Sequence, residues 1–187
     1  KWEKYNVISF DIDVDFGKVY GEEFGHLNKK EPSSVMLAEG SEITVENKKI
    51  YVNDADINVR IFSDSKKENL PLLINYHGGG WVLGDLDADD QMCRYLAKIS
   101  GHKVISVDYR LAPEYKFPTP LQDCFKAVSF IHKNYKEFNI NPDKISICGT
   151  SAGGNLAAAV SMLFRDTKKE TIKNQILFTP VLNNDFE

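Results

Sequence analysis

The sequence has 187 residues, 42% of them hydrophobic and 27% charged, which is the composition of a soluble globular protein with one sizeable core. A formal net charge of −4 gives no indication of nucleic acid or an anionic membrane as partner. No stretch approaches the ~20 apolar residues of a membrane span, and Lys1–Lys4 does not begin a signal peptide. The cysteines are few, odd in number and widely spaced, so we expect no disulfide framework and a reduced, cytoplasmic protein. They are Cys93, Cys124 and Cys148, of which Cys148 lies in an apolar run and is expected to be a core residue.

Residues 1–38 form an N-terminal segment that the pattern does not assign to elements. Asp11, Asp13 and Asp15 would share one side of an extended strand. We expect a solvated strand face rather than a metal site, because no calcium-loop pattern of glycine and glutamate follows. The main domain is expected over residues 39–187.

Residues 41–62 carry the pattern of antiparallel edge strands. Ile43–Val45 and Lys48–Val52 flank Glu46-Asn47, which predicts a short hairpin, and Ile57–Phe62 alternates again.

Beyond residue 70 the pattern changes to short apolar runs that do not alternate, separated by helical stretches. Such runs are typical of strands buried on both faces, so a parallel sheet covered by helices is predicted. Strands alternating with helices indicate an α/β fold. The predicted strands are Leu70–Tyr76, Val104–Val107, Ile145–Cys148 and Ile176–Phe178.

Three helices fit between these strands. The first is expected to bury Met92, Leu96 and Ile99 and to end at Gly101. The second begins at Thr119–Gln122, which has the sequence of a capping box with proline at the first helical position. The third follows Ser151, and its expected buried face is Leu156, Val160, Leu163 and Phe164.

The strongest local motif is Gly149–Gly153, which reads G-x-S-x-G between a predicted strand and a predicted helix. A nucleophile on such a tight turn needs small residues two positions before and after it, and Gly149 and Gly153 meet that need. The turn would raise the Ser151 hydroxyl above the sheet edge, where the helix N-terminus favours negative charge. Ser151 is therefore the candidate nucleophile.

The second motif is His77–Trp81 (HGGGW), directly after a predicted strand. Consecutive glycines cost conformational entropy but let backbone amides approach a ligand closely, as an oxyanion hole requires. A further amide would come from Ala152, the residue after the nucleophile. A flexible loop or a phosphate cradle is the alternative, although no Gly-Lys-Ser/Thr follows. His77 is expected to anchor this loop rather than to act as base, and Trp81 fits an acyl pocket or the core equally well.

A third segment, Asp108–Glu114 (DYRLAPE), follows the strand at Val104–Val107. From its residues alone it is a charged turn in which Arg110 could pair with Asp108 or Glu114. We expect it to be scaffolding.

Taken together, the three segments resemble the hormone-sensitive-lipase-like family of α/β-hydrolases, which carries HGGGW, DYRLAPE and GxSAGGNLA in this order. The resemblance runs from about Leu70 to Leu182. It implies an α/β-hydrolase fold, hydrolysis of small-molecule esters with small to medium acyl groups, no cofactor, and oxyanion donors at Gly79, Gly80 and Ala152. Residues 1–38 would correspond to part of a cap. Thr150 departs from the family, which commonly has Asp there.

The larger departure concerns the catalytic triad, which in this fold follows the order Ser, Asp/Glu, His. No histidine follows Ser151, and the acids that do are expected to be misplaced. A serine without a base is a poor nucleophile, so this chain alone should be nearly inactive. The histidines are His26, His77, His102 and His132, and the later acids are Asp166, Asp185 and Glu187.

Three explanations of that absence stay open: a fragment of a longer enzyme with the C-terminal part of the fold absent, a remainder held as a separate chain, or a truncated non-catalytic protein. The first is favoured, because a sheet ending at Ile176–Leu182 should leave an unpaired strand edge. The leading function is a carboxylesterase or lipase-like hydrolase. The alternatives are an amidase or deacetylase of the same fold, or a ligand-binding protein, against which the intact glycine triplet argues.

Overall fold

The computed structural model describes residues 43–52, 55–167 and 171–183, together with the backbone of residues 6–9. This part of the chain forms one seven-stranded sheet and three α-helices. The strands are β1 (Asn6–Ser9), β2 (Ile43–Val52), β3 (Ala55–Asp64), β4 (Leu70–Tyr76), β5 (Lys103–Val107), β6 (Ile140–Thr150) and β7 (Ile172–Phe178). The helices are α1 (Asp90–Ser100), α2 (Thr119–Lys133) and α3 (Ala152–Asp166).

The strand order across the sheet is β1-β7-β6-β4-β5-β3-β2. The five strands from β1 to β5 in that order run parallel, and β3 and β2 complete the sheet as an antiparallel edge. All five residues of β5 are buried, as are six of the seven in β4, which explains why neither strand alternates in sequence. The predicted mostly parallel sheet with an antiparallel edge is confirmed.

Helices cover both faces of this sheet. The side chains of Leu72 and Ile74 belong to the core shared with α2 and α3, whereas Leu73 points into a second core with Cys93 and Ala97 of α1. Successive residues of a strand face opposite sides, so β4 contributes to both cores. The predicted covering of both sheet faces is therefore confirmed.

The hairpin predicted around Glu46-Asn47 is wrong. Ile43–Val52 is one continuous strand, paired residue by residue with β3 from Ile43 opposite Asp64 to Val52 opposite Ala55. Glu46-Asn47 lacks the glycine that favours a two-residue hairpin turn, and Asn47 instead accepts a hydrogen bond from Arg60 Nε at 2.8 Å. β2 ends at Val52 and β3 begins at Ala55.

Two features of the helices also differ from the prediction. The capping box is wrong, because Thr119 is already helical, Pro118 occupies the cap position and no side chain caps the helix. In α1 the buried residues are Cys93 and Ala97, and Ile99 is 60% exposed. The predicted end of α1 is confirmed by Gly101, which adopts the left-handed conformation with φ 66°.

In α3, three of the four residues of the predicted buried face are buried, and Leu163 is the exception. None of the helices within the described ranges combines the length and apolar character that a bilayer crossing requires.

The sequence predicted an unpaired strand edge at Ile176–Leu182, but β7 is paired there with β1. The two strands run parallel, from Asn6 opposite Asn174 to Ser9 opposite Leu177. That expectation is therefore wrong, because four residues of the N-terminal segment supply the neighbouring strand. The predictions for Asp11, Asp13, Asp15 and His26 lie outside the described residues, and the assignment of residues 1–38 to a cap stays a prediction.

Candidate active site

Ser151 lies at the junction between β6, which ends at Thr150, and α3, which begins at Ala152. Its backbone has φ 54° and ψ −115°, a region that costs a non-glycine residue about 1–3 kcal/mol. Backbone hydrogen bonds hold this conformation, since Ser151 N donates to Phe178 O at 2.9 Å and Asn155 N donates to Ser151 O at 3.0 Å. The strand, turn and helix expected around the G-x-S-x-G motif are present.

The two glycines of the motif are required by close backbone contacts. A Cβ on Gly149 would lie 2.3 Å from Gly153 O, and a Cβ on Gly153 would lie 2.0 Å from Tyr76 O. Neither distance is compatible with a side chain. The spacing of the motif therefore reflects how closely α3 crosses the ends of β6 and β4.

The Ser151 hydroxyl does not cap helix α3. Serine at the first position of a helix commonly caps it, but here the side chain makes no capping hydrogen bond. The residue is half-buried, so its hydroxyl is neither sealed in the core nor fully solvated. The positive end of the α3 dipole faces this position.

The glycine loop, residues 77–84, follows β4. Gly79 and Gly80 have φ values of 120° and 61°, and Gly79 O accepts hydrogen bonds from Val82 N at 3.1 Å and Leu83 N at 2.9 Å. A Cβ on Gly79 would lie 2.1 Å from Leu83 O, whereas one on Gly80 would approach nothing closer than 4.0 Å. Gly79 is therefore needed by the turn itself, besides any contact with a ligand.

The fold brings the glycine loop and the serine together at the carboxyl edge of the parallel strands. Tyr76, the last residue of β4, is paired with Gly149 of β6. A Cβ on Gly78 would lie 3.7 Å from Ser151 Cβ and 3.2 Å from Thr150 O. The two motifs that the sequence singled out begin 72 residues apart in the chain, at His77 and Gly149, and thus lie side by side in the fold.

His77 is completely buried at the start of the glycine loop. Its ring stacks on that of Tyr109, with centroids 4.3 Å apart and 10° between the planes, and its Nδ1 lies 2.7 Å from Gly78 O. Tyr109 donates its hydroxyl to His77 O at 2.7 Å. Gly84, which the sequence did not single out, packs against the His77 ring, because a Cβ there would lie 2.3 Å from His77 Nδ1.

A polar cluster links β4, β6 and the residue before α1. Asn75 donates its side-chain amide to Asp89 Oδ2 at 2.9 Å and accepts from the Cys148 thiol at 3.4 Å. Burial raises the pKa of Asp89, although the hydrogen bond from Asn75 and the nearby His77 oppose that shift. Burial also raises the pKa of Cys148 well above that of a free thiol, in agreement with its predicted place in the core. Asn75 and Asp89 belong to no recognisable motif, so no sequence signal marked them.

The DYRLAPE segment is tied to α2 at one point and to the glycine loop at another. Arg110 forms a bidentate ion pair with the buried Asp123 of α2, through Nε at 2.8 Å and Nη2 at 2.7 Å. This partner was not among those that the sequence suggested, because it lies 13 residues away on a helix. Ala112 N donates to Trp81 O at 2.9 Å, and the partly buried Trp81 ring packs against the main core.

His102, His132 and Asp166, which the sequence analysis weighed as members of the triad, lie away from Ser151. His102 precedes β5 and His132 lies near the end of α2, so both are at the opposite edge of the parallel sheet. Asp166 ends the 15-residue helix α3, about 22 Å along its axis from Ser151. Within the described ranges no cluster of three His, Cys, Asp or Glu side chains could hold a metal ion. Asp185 and Glu187 lie outside these ranges.

Comparison with known proteins agrees with this geometry. The sequence model of a family described by its α/β-hydrolase fold matches residues 73–187. The chain belongs to this α/β-hydrolase family. Within it, the three motifs and the named relatives place the chain with the hormone-sensitive-lipase-like α/β-hydrolases.

Curated relatives of this α/β-hydrolase include an arylesterase of Saccharolobus solfataricus, 48% identical over 120 residues that cover 64% of this chain and 39% of the relative. Carboxylesterase NlhH of Mycobacterium tuberculosis is 37% identical over 146 residues, 77% of this chain and 46% of the relative. The structure of EstE1, a thermostable carboxylesterase cloned from a metagenomic library, is similar with a TM-score of 0.74 and 41% identity, over 77% of this chain and 49% of EstE1. The chain therefore spans less than half the length of these proteins.

Proposed function

We propose that this chain carries the nucleophile and the oxyanion hole of a serine hydrolase that cleaves carboxylic esters of small to medium acyl chain length. The observation that carries the proposal is the left-handed backbone of Ser151 at the β6–α3 junction, with its Cβ 3.7 Å from where a Gly78 Cβ would lie. The relatives named arylesterase and carboxylesterase support the same reaction class.

The proposed first step is attack by Ser151 Oγ on the ester carbonyl carbon. The carbonyl oxygen becomes an oxyanion, and the amides of Gly79, Gly80 and Ala152 are the proposed donors that stabilise it. Two observations support this assignment: the positive end of α3 begins at Ala152, and a Cβ at Gly80 would approach nothing closer than 4.0 Å, which leaves room for a ligand. His77, Gly78, Gly149 and Gly153 would support the site through packing, not chemistry.

The proposed second step expels the alcohol and leaves the acyl group on Ser151, from which water then releases the acid. No metal or cofactor takes part in either step. A general base must take the proton of Ser151 in the first step, return it to the leaving alcohol, and then take a proton from the attacking water and return it to Ser151. The described histidines are either buried, as His77 is, or at the far edge of the sheet. We therefore propose that the 187-residue polypeptide by itself turns over esters slowly.

Hydrolysis of a series of p-nitrophenyl esters tests this proposal. The assay uses the full-length protein, which here means the whole encoded polypeptide that contains these 187 residues. Activity should be measurable on short and medium acyl chains and should fall by at least about a thousandfold in Ser151→Ala. Thr150→Ala changes the neighbouring side chain at the same turn and serves as the matched control, with activity retained. Equal activity in Ser151→Ala and the wild type would contradict the assigned nucleophile.

Two further arms separate the finer parts of the proposal. The corresponding p-nitroanilides should be cleaved far more slowly than the esters, and faster anilide cleavage would favour an amidase. The 187-residue polypeptide, assayed beside the full-length protein, should show a much lower kcat on the same esters. An equal kcat would place a working base within the 187 residues and overturn that part of the proposal.

A further inference from the structure

Tyr109 lies in the segment that the sequence marked only as scaffolding, yet it makes two contacts with the first residue of the glycine loop. Its hydroxyl donates to His77 O at 2.7 Å, and its ring lies parallel to the His77 ring at 4.3 Å. The residue is 1% exposed, and burial raises the pKa of its phenol, so the hydroxyl keeps its proton and stays a donor. Tyr109 therefore fixes both the carbonyl and the ring of His77.

The ring of His77 passes this constraint on to the loop. Its Nδ1 lies 2.7 Å from Gly78 O, and because a carbonyl oxygen can only accept, Nδ1 must carry the proton. The carbonyl of Gly78 and the amide N–H of Gly79 belong to one planar peptide group. The direction of the Gly78 carbonyl therefore sets the direction of the Gly79 N–H.

Without such constraints the glycine loop would have many conformations, because glycine restricts the backbone least of all residues. An oxyanion hole works only when its donors already point at the developing charge. The His77 ring stacks on Tyr109 with one face. The backbone of Gly84 lies next to Nδ1, so close that a Cβ on Gly84 would be 2.3 Å from that atom. Tyr109 is itself held in place, because its neighbour Arg110 is paired with the buried Asp123.

We propose that Tyr109 is a positioning residue of the oxyanion hole, which orients the Gly79 amide through the His77 ring and carbonyl. This inference rests on the proposed ester hydrolysis at Ser151. The chain offers a matched control in Tyr76, a second buried tyrosine whose hydroxyl also donates to a backbone carbonyl, that of Cys124 at 3.2 Å. The Tyr76 hydroxyl bonds α2 and not the glycine loop.

The test compares Tyr109→Phe, Tyr109→Leu and Tyr76→Phe with the wild type in the full-length protein. Tyr109→Phe keeps the ring stack and loses the hydrogen bond, so kcat should fall about tenfold while KM stays within twofold. Tyr109→Leu loses both contacts and should lower kcat further. Tyr76→Phe should leave kcat within twofold, although both phenylalanine variants lose one buried hydrogen bond and should unfold at similarly reduced urea concentrations.

Hydrogen exchange of the Val82 and Leu83 amides gives a readout that does not depend on turnover, since both donate to Gly79 O within the loop. Exchange should accelerate in Tyr109→Phe and not in Tyr76→Phe. Unchanged exchange in Tyr109→Phe, or an equal fall of kcat in Tyr76→Phe, would overturn the inference. If the wild type shows no Ser151-dependent hydrolysis, the proposed function fails, and the exchange comparison alone then decides whether Tyr109 orders the loop.

Discussion

Replacement of Gly153 by alanine places one methyl group at the point where α3 crosses the end of β4. The new Cβ would lie 2.0 Å from Tyr76 O and 2.5 Å from His77 O, both of them backbone atoms. A carbon and an oxygen need more than 3 Å between them, so the end of β4 must retreat from α3 by about 1 Å. That movement carries the first residue of the glycine loop away from Ser151.

Two effects on stability oppose each other in this variant. Overpacking against a backbone that cannot rotate away costs about 1–3 kcal/mol, whereas alanine in place of glycine inside a helix gains up to about 1 kcal/mol. Gly153 is the second residue of α3, where helix propensity counts least, so the overpacking prevails. We expect a net loss of about 1–2 kcal/mol in the free energy of unfolding.

The effect on activity should exceed the effect on stability. A displacement of about 1 Å between a nucleophile and the groups that stabilise its transition state can cost about a hundredfold in rate. We expect kcat for ester hydrolysis to fall by about that factor in Gly153→Ala, under conditions where the variant remains folded.

Gly154→Ala is the matched control for both measurements. It makes the same change one residue further along α3, where the new Cβ would lie 3.0 Å from Gly149 O and 3.0 Å from Pro180 Cβ. Those neighbours need to move only a few tenths of an ångström, so kcat should fall by less than tenfold. Urea unfolding and steady-state kinetics on the full-length protein provide the numbers. The reasoning is refuted if Gly153→Ala matches or exceeds Gly154→Ala in both stability and kcat.

Two further predictions concern the carboxylates of Asp123, which is buried, and Asp89, which is partly buried. Asp123→Asn removes the charge of a carboxylate that is 1% exposed and paired with Arg110, so urea unfolding should show a loss of about 3–5 kcal/mol. Asp166→Asn, in the exposed pair with Arg165, should change less than about 0.5 kcal/mol, and a loss of similar size at both positions would contradict the argument. Burial raises the pKa of Asp89, so the native state holds its proton more tightly than the unfolded state does. The stability of the wild type relative to Asp89→Asn should therefore be greatest in acid and decline as pH rises from about 4 through the raised pKa, and a difference that is constant from pH 4 to 8 would be contrary evidence.

The central strands of the sheet were predicted well, because a strand that is buried on both faces has a nearly continuous run of apolar residues. Leu70–Tyr76 was predicted with the bounds that the structure shows. The antiparallel edge of the sheet was harder to predict. Glu46-Asn47 looked like a turn, but an edge strand tolerates polar residues, and Asn47 of β2 pairs with Arg60 of β3. In α1, Cys93 and Ala97 face the sheet and Leu96 packs beside them, whereas Ile99, which was chosen as a large apolar side chain, is exposed.

The local parts of the candidate site could also be predicted, since they share one short motif and the close contact of Gly149 with Gly153 arises within one turn. The supporting parts could not, because they depend on contacts between distant segments. Tyr109 meets His77 across 32 residues, and Asn75 meets Asp89 only after the chain has turned back beneath the loop. A tyrosine in a charged turn and an asparagine in an apolar run carry no periodicity from which such contacts can be inferred.

Covalent labelling of the full-length protein with a fluorophosphonate, followed by mapping of the adduct by mass spectrometry, tests the central claim most directly. Ser151 is half-buried and its hydroxyl makes no capping hydrogen bond, so this hydroxyl should be phosphonylated. The adduct should therefore be found on Ser151 and should disappear in Ser151→Ala. An adduct on another residue, or labelling of the alanine variant at the wild-type rate, would show that the nucleophile is elsewhere.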